Sequence, residues 1–196
     1  MGKTLYIFLI PLLFLNCDGQ QGIKDTVQAN YLNYTLSASK LIDSLAIKKS
    51  DLSINIDKSE YKLKLVSKAN VIKEYPVVFG TNPVDDKLME GDRSTPEGTF
   101  KIRDHYPHAS WSKFIWIDYP TKDSWKKHNE AKQNNKIPQN ATIGGEVGIH
   151  GVPKGKDALI DKKVNWTWGC ISLKNKDIND LYKVVFKGMT IIIESE

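Results

Sequence analysis

Apolar and polar residues alternate with period two through "LSINID" (52–57), "YKLKLV" (61–66) and "NVIKEYPVVFG" (70–80). The short polar breaks "KSE" and "SKA" separate these runs, so the stretch is expected to form a meander of antiparallel strands. Upstream the period differs: Val27, Tyr31, Tyr34, Ala38, Leu41 and Leu45 recur every three or four residues. This spacing predicts one amphipathic helix from Asp25 to about Lys48, capped by Asp25 or Thr26, serving either as a stalk or as a packed element. Downstream, "GDRSTPEGTFKIRD" supplies Pro and Gly turns leading into a strand at Thr99 to Arg103, and "KFIWIDYP" is a strand stopped by Pro120. "DSWKKHNEAKQNN" reads as a surface helix capped by Asp123 or Ser124. "GEVGIHG" and "GCISL" are short strands flanking the loop Val152 to Trp168. "INDLYKVV" is a brief helix, and "MTIIIES" a final, fully buried strand. The expected fold is mainly β, with roughly eight strands, few short helices and an added N-terminal helix.

The first residues carry a different pattern. "MGKTLYIFLIPLLFLNC" has Lys3 as a positive start and an apolar run from Leu5 to Leu15. That run is shorter than the roughly 20 residues a membrane-spanning helix needs, and it fits a secretory signal. A cysteine directly after such a run resembles a bacterial lipobox, which makes Cys17 the expected lipidation site and residues 1–17 the signal peptide. The remaining chain, about 180 residues, suffices for one domain with a sizeable core, preceded by a helical extension over 18–50. The protein is expected in the cell envelope, either periplasmic or held at a membrane by the lipid.

Charge adds little. Net charge is +5 from 28 Lys and Arg against 23 Asp and Glu, and Arg93 and Arg103 are the only arginines. The lysines are scattered among acids and form no stripe, so no nucleic-acid partner is expected.

Cysteine usage raises the chemical question. Cys17 and Cys170 are the only cysteines. If Cys17 carries lipid, Cys170 is buried and inert, paired between chains, or chemically employed. "IHG" places His150 at a strand end, and Cys170 opens another strand twenty residues later. Neighbouring strand ends can bring a thiol and an imidazole into hydrogen-bond reach, as a nucleophile and its base require. Gly169 allows close backbone approach to a substrate, and a tight Trp-Gly-Cys turn can aim consecutive N–H groups at an oxyanion. By spacing alone the catalytic and structural readings of Cys170 stand close together. A metal site is disfavoured: there is no CxxC, "HYPH" matches no common zinc spacing, and His105, His108 and His128 read as solvated polar residues.

"IHG", sixteen residues from Gly151 to Trp166, then "TWGCISLKN" resembles the signature of L,D-transpeptidase (YkuD-type) catalytic domains. "GDRSTPEGTFKI" is similar to the family's upstream turn and strand, and "YPTKDSWKKHNEAKQNN…IGGEVGIHG" to the segment that leads into its histidine. The resemblance covers roughly Leu52 to Glu194 and assigns 51–196 to a YkuD-like β-sandwich or mixed-sheet catalytic domain. It implies Cys170 as nucleophile, His150 as general base, and the Gly151 carbonyl as the group orienting the imidazole. It places the oxyanion hole on the N–H groups of Trp168, Gly169 and Cys170. Thr167 matches the family's Ser/Thr and Asn175 its later Asn, read as a loop-fixing residue; Thr167, Trp166 and Tyr119 are the expected substrate-binding residues. Two positions depart from the pattern: Trp168 stands where a second histidine is usual, and Ser172 where arginine is common.

The implied activity is acyl transfer in wall biogenesis and cell shape, with peptidoglycan stem peptides as donors, an amine from a second stem or a protein as acceptor, and no cofactor. Hydrolytic variants of the same chemistry are an L,D-carboxypeptidase or an amidase. Papain-like wall endopeptidases place cysteine before histidine, the reverse of the order here; sortases share this order but need an arginine after the cysteine, and none follows Cys170. A non-enzymatic alternative is a wall-binding lipoprotein gripping its ligand with Trp111, Trp116, Trp125, Trp166 and Trp168, although tryptophans in β-rich domains are more often core.

Overall fold

The computed structural model describes residues 31–195. The signal segment, Cys17 and the first part of the expected N-terminal helix lie outside the described residues. Eight strands form one mixed sheet: β1 (Leu52–Asp57), β2 (Lys62–Ser67), β3 (Asn70–Pro76), β4 (Gly98–His108), β5 (Ser112–Ile117), β6 (Gly148–His150), β7 (Ile171–Ser172) and β8 (Thr190–Glu194), in the order β3-β2-β1-β8-β4-β5-β6-β7.

Period-two patterning sets the register at the N-terminal end. β1 and β2 pair antiparallel with Ile54 opposite Leu65 and Ile56 opposite Leu63, all four fully buried. Burying each such side chain contributes about 1.5–3 kcal/mol, and a one-residue slip would turn the whole set to solvent. β8 lies parallel to β1 and antiparallel to β4, so Ile191 faces both Ile54 and Phe100 across the ladder. The last strand was expected to be buried throughout. Instead Ile191 and Ile193 are buried while Thr190, Ile192 and Glu194 are half-buried, because only one face is fully covered.

β4 joins the two ends of the sheet. Its first residues pair with β8; a register irregularity follows Ile102, and its remainder pairs with β5. β5 pairs antiparallel with β6, and β6 parallel with β7, setting Phe114 opposite His150 and His150 opposite Ser172. Gly148 is required in this ladder, since a Cβ there would lie 2.4 Å from the Phe114 ring.

The helices are α1 (Ala38–Ser44), α2 (Lys122–Gln133), α3 (Ala158–Asp161) and α4 (Asn175–Leu181), with a single 3₁₀ turn at Lys49–Asp51. Among residues 31–48 only α1 is α-helical, a much shorter span than the periodicity predicted. Tertiary contacts override the pattern: Asn33 takes a left-handed φ of 53°, and the carbonyls of Asn33, Tyr34 and Leu36 turn toward the buried Lys73 ammonium. Tyr34 Oη donates to Asp177 Oδ2 at 2.8 Å, and Ala38 and Ile42 join the main core. The described part of the extension therefore packs on the domain. α2 is capped two or three residues earlier than expected. Thr121 is its N-cap, with Ser124 returning the bond in a capping box.

Candidate active site

His150 ends β6 and Cys170 immediately precedes β7, the parallel neighbour of β6. Because His150 pairs with Ser172, and Cys170 sits two residues before Ser172, the pleat directs His150 and Cys170 to the same face. Both line a cavity of about 540 Å³, together with Lys87, Trp111, Trp166 and Trp168. A second hollow, of about 560 Å³, lies beside Lys48, Asp51 and Lys68 and has no thiol or imidazole in its lining.

The imidazole is held on all sides. His150 Nδ1 lies 2.7 Å from the Gly151 carbonyl oxygen, to which it donates as the Nδ1–H tautomer. That leaves Nε2 as the acceptor. Trp111 stacks on the ring at 4.4 Å between centroids, Phe114 stacks at 5.9 Å, and Trp166 meets it edge-on at 5.6 Å. Burial in this aromatic sleeve pushes the imidazole down to about 4, against a partial upward pull from Gly151. Gly151 is fixed in turn: its N–H donates to the Trp111 carbonyl at 3.0 Å, and a Cβ would meet Asn175 Oδ1 at 2.2 Å. Asn175 thus packs against the residue that orients the histidine.

Cys170 is half-buried, with Sγ 3.7 Å from the Glu146 carbonyl oxygen. Burial pushes the thiol up to about 11; a backbone bond at Gly148 and the charge of Lys87 pull the other way, and Glu146 adds to the rise. At pH 7 the substrate-free cavity therefore holds a neutral thiol, directed to the Glu146 carbonyl, and a neutral imidazole that can accept a proton.

The turn before Cys170 is braced by Thr167. Its hydroxyl donates to the Cys170 carbonyl at 2.6 Å and accepts the Gly169 N–H at 3.2 Å. Thr167 lines the cavity, but its hydroxyl is committed to the turn. The same contact engages the Gly169 amide, one of the three expected oxyanion donors. Gly169 itself adopts φ +128°, and a Cβ there would meet the Ser94 carbonyl at 2.7 Å. Its small size is thus required by protein backbone behind the turn, where the sequence suggested substrate in front.

Trp166 is half-buried against His150, with an indole N–H that has no partner among the described residues. Trp168 is 74% exposed, with the Arg93 guanidinium 3.9 Å from its ring centroid. Ser172, fully buried, points its hydroxyl to the Gly151 carbonyl at 3.4 Å. Tyr119 is not at the groove. It is 3% exposed, packs on Phe100, and donates its hydroxyl to the Ile143 carbonyl at 3.1 Å, which corrects its expected place beside the substrate.

The other histidines also differ from expectation. His128 is 1% exposed, with Nδ1 2.6 Å from the Leu88 carbonyl. His105 is half-buried against Tyr182. His108 stacks on the far face of Trp111 at 4.4 Å and so belongs to the sleeve around His150. Alternation along "RDHYPH" signals a strand but gives no sign of these aromatic partners. Sequence reasoning also missed Lys87 and Asp92. A lysine among Gly and Asp in "DKLMEGDR" looks solvated, yet the Lys87 side chain is 4% exposed and bonds Asp92 at 2.8 Å.

With this geometry established, the family follows. The L,D-transpeptidase catalytic domain family (YkuD) matches residues 51–193, and the chain belongs to it. The family's enzymes act on cell-wall peptidoglycan. Among solved structures, the helical cell shape determining protein Pgp2 from Campylobacter jejuni is similar at 21% identity and a TM-score of 0.55, over 74% of this chain and 48% of that one. Bd1075 from Bdellovibrio bacteriovorus is similar at 20% identity and a TM-score of 0.51, over 74% and 48%. The chain thus spans about half the length of these relatives, and at such identities the likeness concerns the fold. Comparison with the curated proteins gives no match. Among the described residues, no helix is long and apolar enough to cross a membrane.

Proposed function

We propose that this protein is a peptidoglycan L,D-transpeptidase that works through a thioester on Cys170. The observation supporting this most directly is the shared cavity of His150 and Cys170 on adjacent strands, with Nδ1 of His150 anchored by Gly151. In this reading the Cys170 proton passes to His150 Nε2 as sulfur attacks the carbonyl of the third-position diamino acid, at its L-centre, in the amide that joins it to the terminal D-Ala of a stem tetrapeptide. The carbonyl electrons move onto oxygen, stabilised by the amides of Trp168 and Cys170, with Gly169 contributing only if Thr167 releases it. Collapse breaks the C–N bond, and the terminal D-Ala leaves with the proton from His150. An acceptor amine then attacks the thioester carbonyl, His150 takes its proton, and sulfur departs.

Hydrolysis, as in an L,D-carboxypeptidase or amidase, differs only in that water replaces the amine. The exposed indole of Trp168 at the cavity rim favours transfer, because an apolar cover beside the thioester excludes water. Lipid on Cys17 would hold the enzyme at a membrane of the cell envelope, close to its polymer. Incubation with purified muropeptides followed by mass spectrometry tests the reaction. Cross-linked dimers are expected; tripeptide alone would indicate a hydrolase, and unchanged muropeptides with a folded protein would favour a binding role.

A further inference from the structure

The wall of the cavity opposite His150 is built by the loop 84–97, and Asp92 gathers that loop. Its carboxylate accepts the N–H groups of Leu88 at 2.7 Å, Met89 at 2.9 Å and Ser94 at 3.0 Å, and the Lys87 ammonium at 2.8 Å. Burial opposes the charge on Asp92, but the ammonium and the three amides prevail and hold its carboxyl below the usual range. Lys87 also donates to the Met89 carbonyl at 3.0 Å. An ammonium has three hydrogens. Two are taken, and the third has no partner among the described residues.

Nζ of Lys87 lies 3.9 Å from where a Cβ on Gly169 would sit, directly behind the turn that presents Cys170. Among the described residues lining the cavity, Lys87 is the only Lys or Arg, against two acids, Glu90 and Glu146. The positions where the resemblance expected polar or cationic help hold Trp168 and Ser172 instead. Arg93 stands at the rim over the Trp168 indole. The groups facing Cys170 are thus Lys87, His150 and Glu146, with Glu90 on the wall and Asp92 behind the ammonium.

We infer that Lys87 is a positioning residue for the nucleophile, its buried ammonium being the fixed positive charge against which the Cys170 thiolate and then the oxyanion form. The inference rests on Cys170 acting as the nucleophile. Lys87 loses no proton in the step; the thiol proton goes to His150, and the ammonium contributes a hydrogen bond and its field. Without it, negative charge would develop under the field of Glu146 in a site that already penalises ions.

The direction of the effect is testable without turnover. The charge of Lys87 lowers the titration of Cys170; a nearby opposite charge moves a titration by about 1–3 units, and here the lower end applies because Asp92 partly neutralises Lys87. A rise of about one unit lowers the thiolate fraction tenfold, while the greater nucleophilicity of the more basic thiolate returns about threefold. Iodoacetamide alkylation, read at the Cys170 peptide by mass spectrometry at pH 8, should therefore be about threefold slower in Lys87→Met. Lys87→Arg, which keeps the charge, should stay within about 1.5-fold of the parent. Asp92→Asn frees the ammonium field and should accelerate alkylation. A merely structural ion pair predicts that Lys87→Met and Asp92→Asn move the rate in the same direction; that result, or an unchanged rate in Lys87→Met, overturns the inference. If Lys87→Met does not fold, acceleration in Asp92→Asn beside a near-parent rate in Lys87→Arg supports the inference, and slowing in Asp92→Asn overturns it. Failure of the nucleophile assignment shows elsewhere, as muropeptide turnover that survives Cys170→Ser.

Discussion

Gly151→Ala is the sharpest single perturbation of the site, since it adds one carbon where three groups already meet. The new Cβ would stand 2.2 Å from Asn175 Oδ1, 2.6 Å from the Trp111 carbonyl oxygen and 3.1 Å from Ile178 Cγ2. The first contact can relax by rotating the Asn175 side chain. The second cannot relax so easily, because the Trp111 carbonyl accepts the N–H of Gly151 itself at 3.0 Å and that of Lys113 at 2.7 Å. The backbone at 151 must therefore move, and with it the carbonyl that holds His150 Nδ1. Overpacking of this kind costs about 1–3 kcal/mol of stability. A misplacement on the order of 1 Å at a catalytic group costs about 100-fold in rate. The expected outcome is a folded protein with a lowered melting temperature and an acylation rate by a carbapenem reduced on the order of 100-fold. Adding Asn175→Ala should recover part of the stability and little of the rate, since the Trp111 carbonyl remains. A Gly151→Ala protein that melts normally and acylates within threefold of the parent would refute the claim that this carbonyl orients the base.

Three further outcomes follow from the same structure. Because burial holds His150 at about 4, the imidazole is unprotonated above that pH, and if His150 is the proposed base the acid limb of kcat/KM should fall near pH 4. A limb near 6.5, the ordinary histidine value, would mean that the aromatic sleeve is open in solution. Tyr34→Phe removes the bond to Asp177 Oδ2 and should cost about 1.5–3 kcal/mol in urea unfolding at pH 8. Burial holds Asp177 up to about 6 and the Tyr34 bond pulls it down, so this bond stabilises the carboxylate. The penalty should thus shrink as pH falls through 6, and equal penalties at pH 8 and pH 5 would contradict the assignment. Trp168→Ala should raise the ratio of hydrolysis to transfer with muropeptides and leave carbapenem acylation within a few-fold, since the backbone amide survives. Collapse of acylation in a folded variant would mean that the indole itself positions sulfur or substrate.

Strand positions were legible because alternation at Ile54, Ile56, Leu63 and Leu65 reports directly which face is buried. The order of His150 and Cys170 was legible for a related reason: strand ends are where such pairs are held. What the sequence hid depends on contacts from distant residues. The apolar spacing from Tyr31 to Leu45 suits a helix, but the Lys73 ammonium draws three carbonyls out of any helical ladder. Tyr119 reads as an aromatic beside a strand end, and nothing local says that its hydroxyl finds the Ile143 carbonyl. His108 and Trp111 are three apart in sequence, yet their stack matters only because β6 brings His150 onto the same indole. Lys87 is the clearest case. Burial of its charge depends on Asp92 collecting three loop amides, an arrangement that composition and spacing do not encode.

The central claim is a covalent acyl group on Cys170 during turnover. The most direct measurement is acid quenching of the enzyme with a tetrapeptide stem, followed by peptide mass spectrometry. The account predicts a hydroxylamine-labile adduct on the Cys170 peptide with the mass of the stem lacking its terminal D-Ala, absent from Cys170→Ser, which also turns nothing over. An adduct on another residue, or product formation that persists in Cys170→Ser, would contradict it.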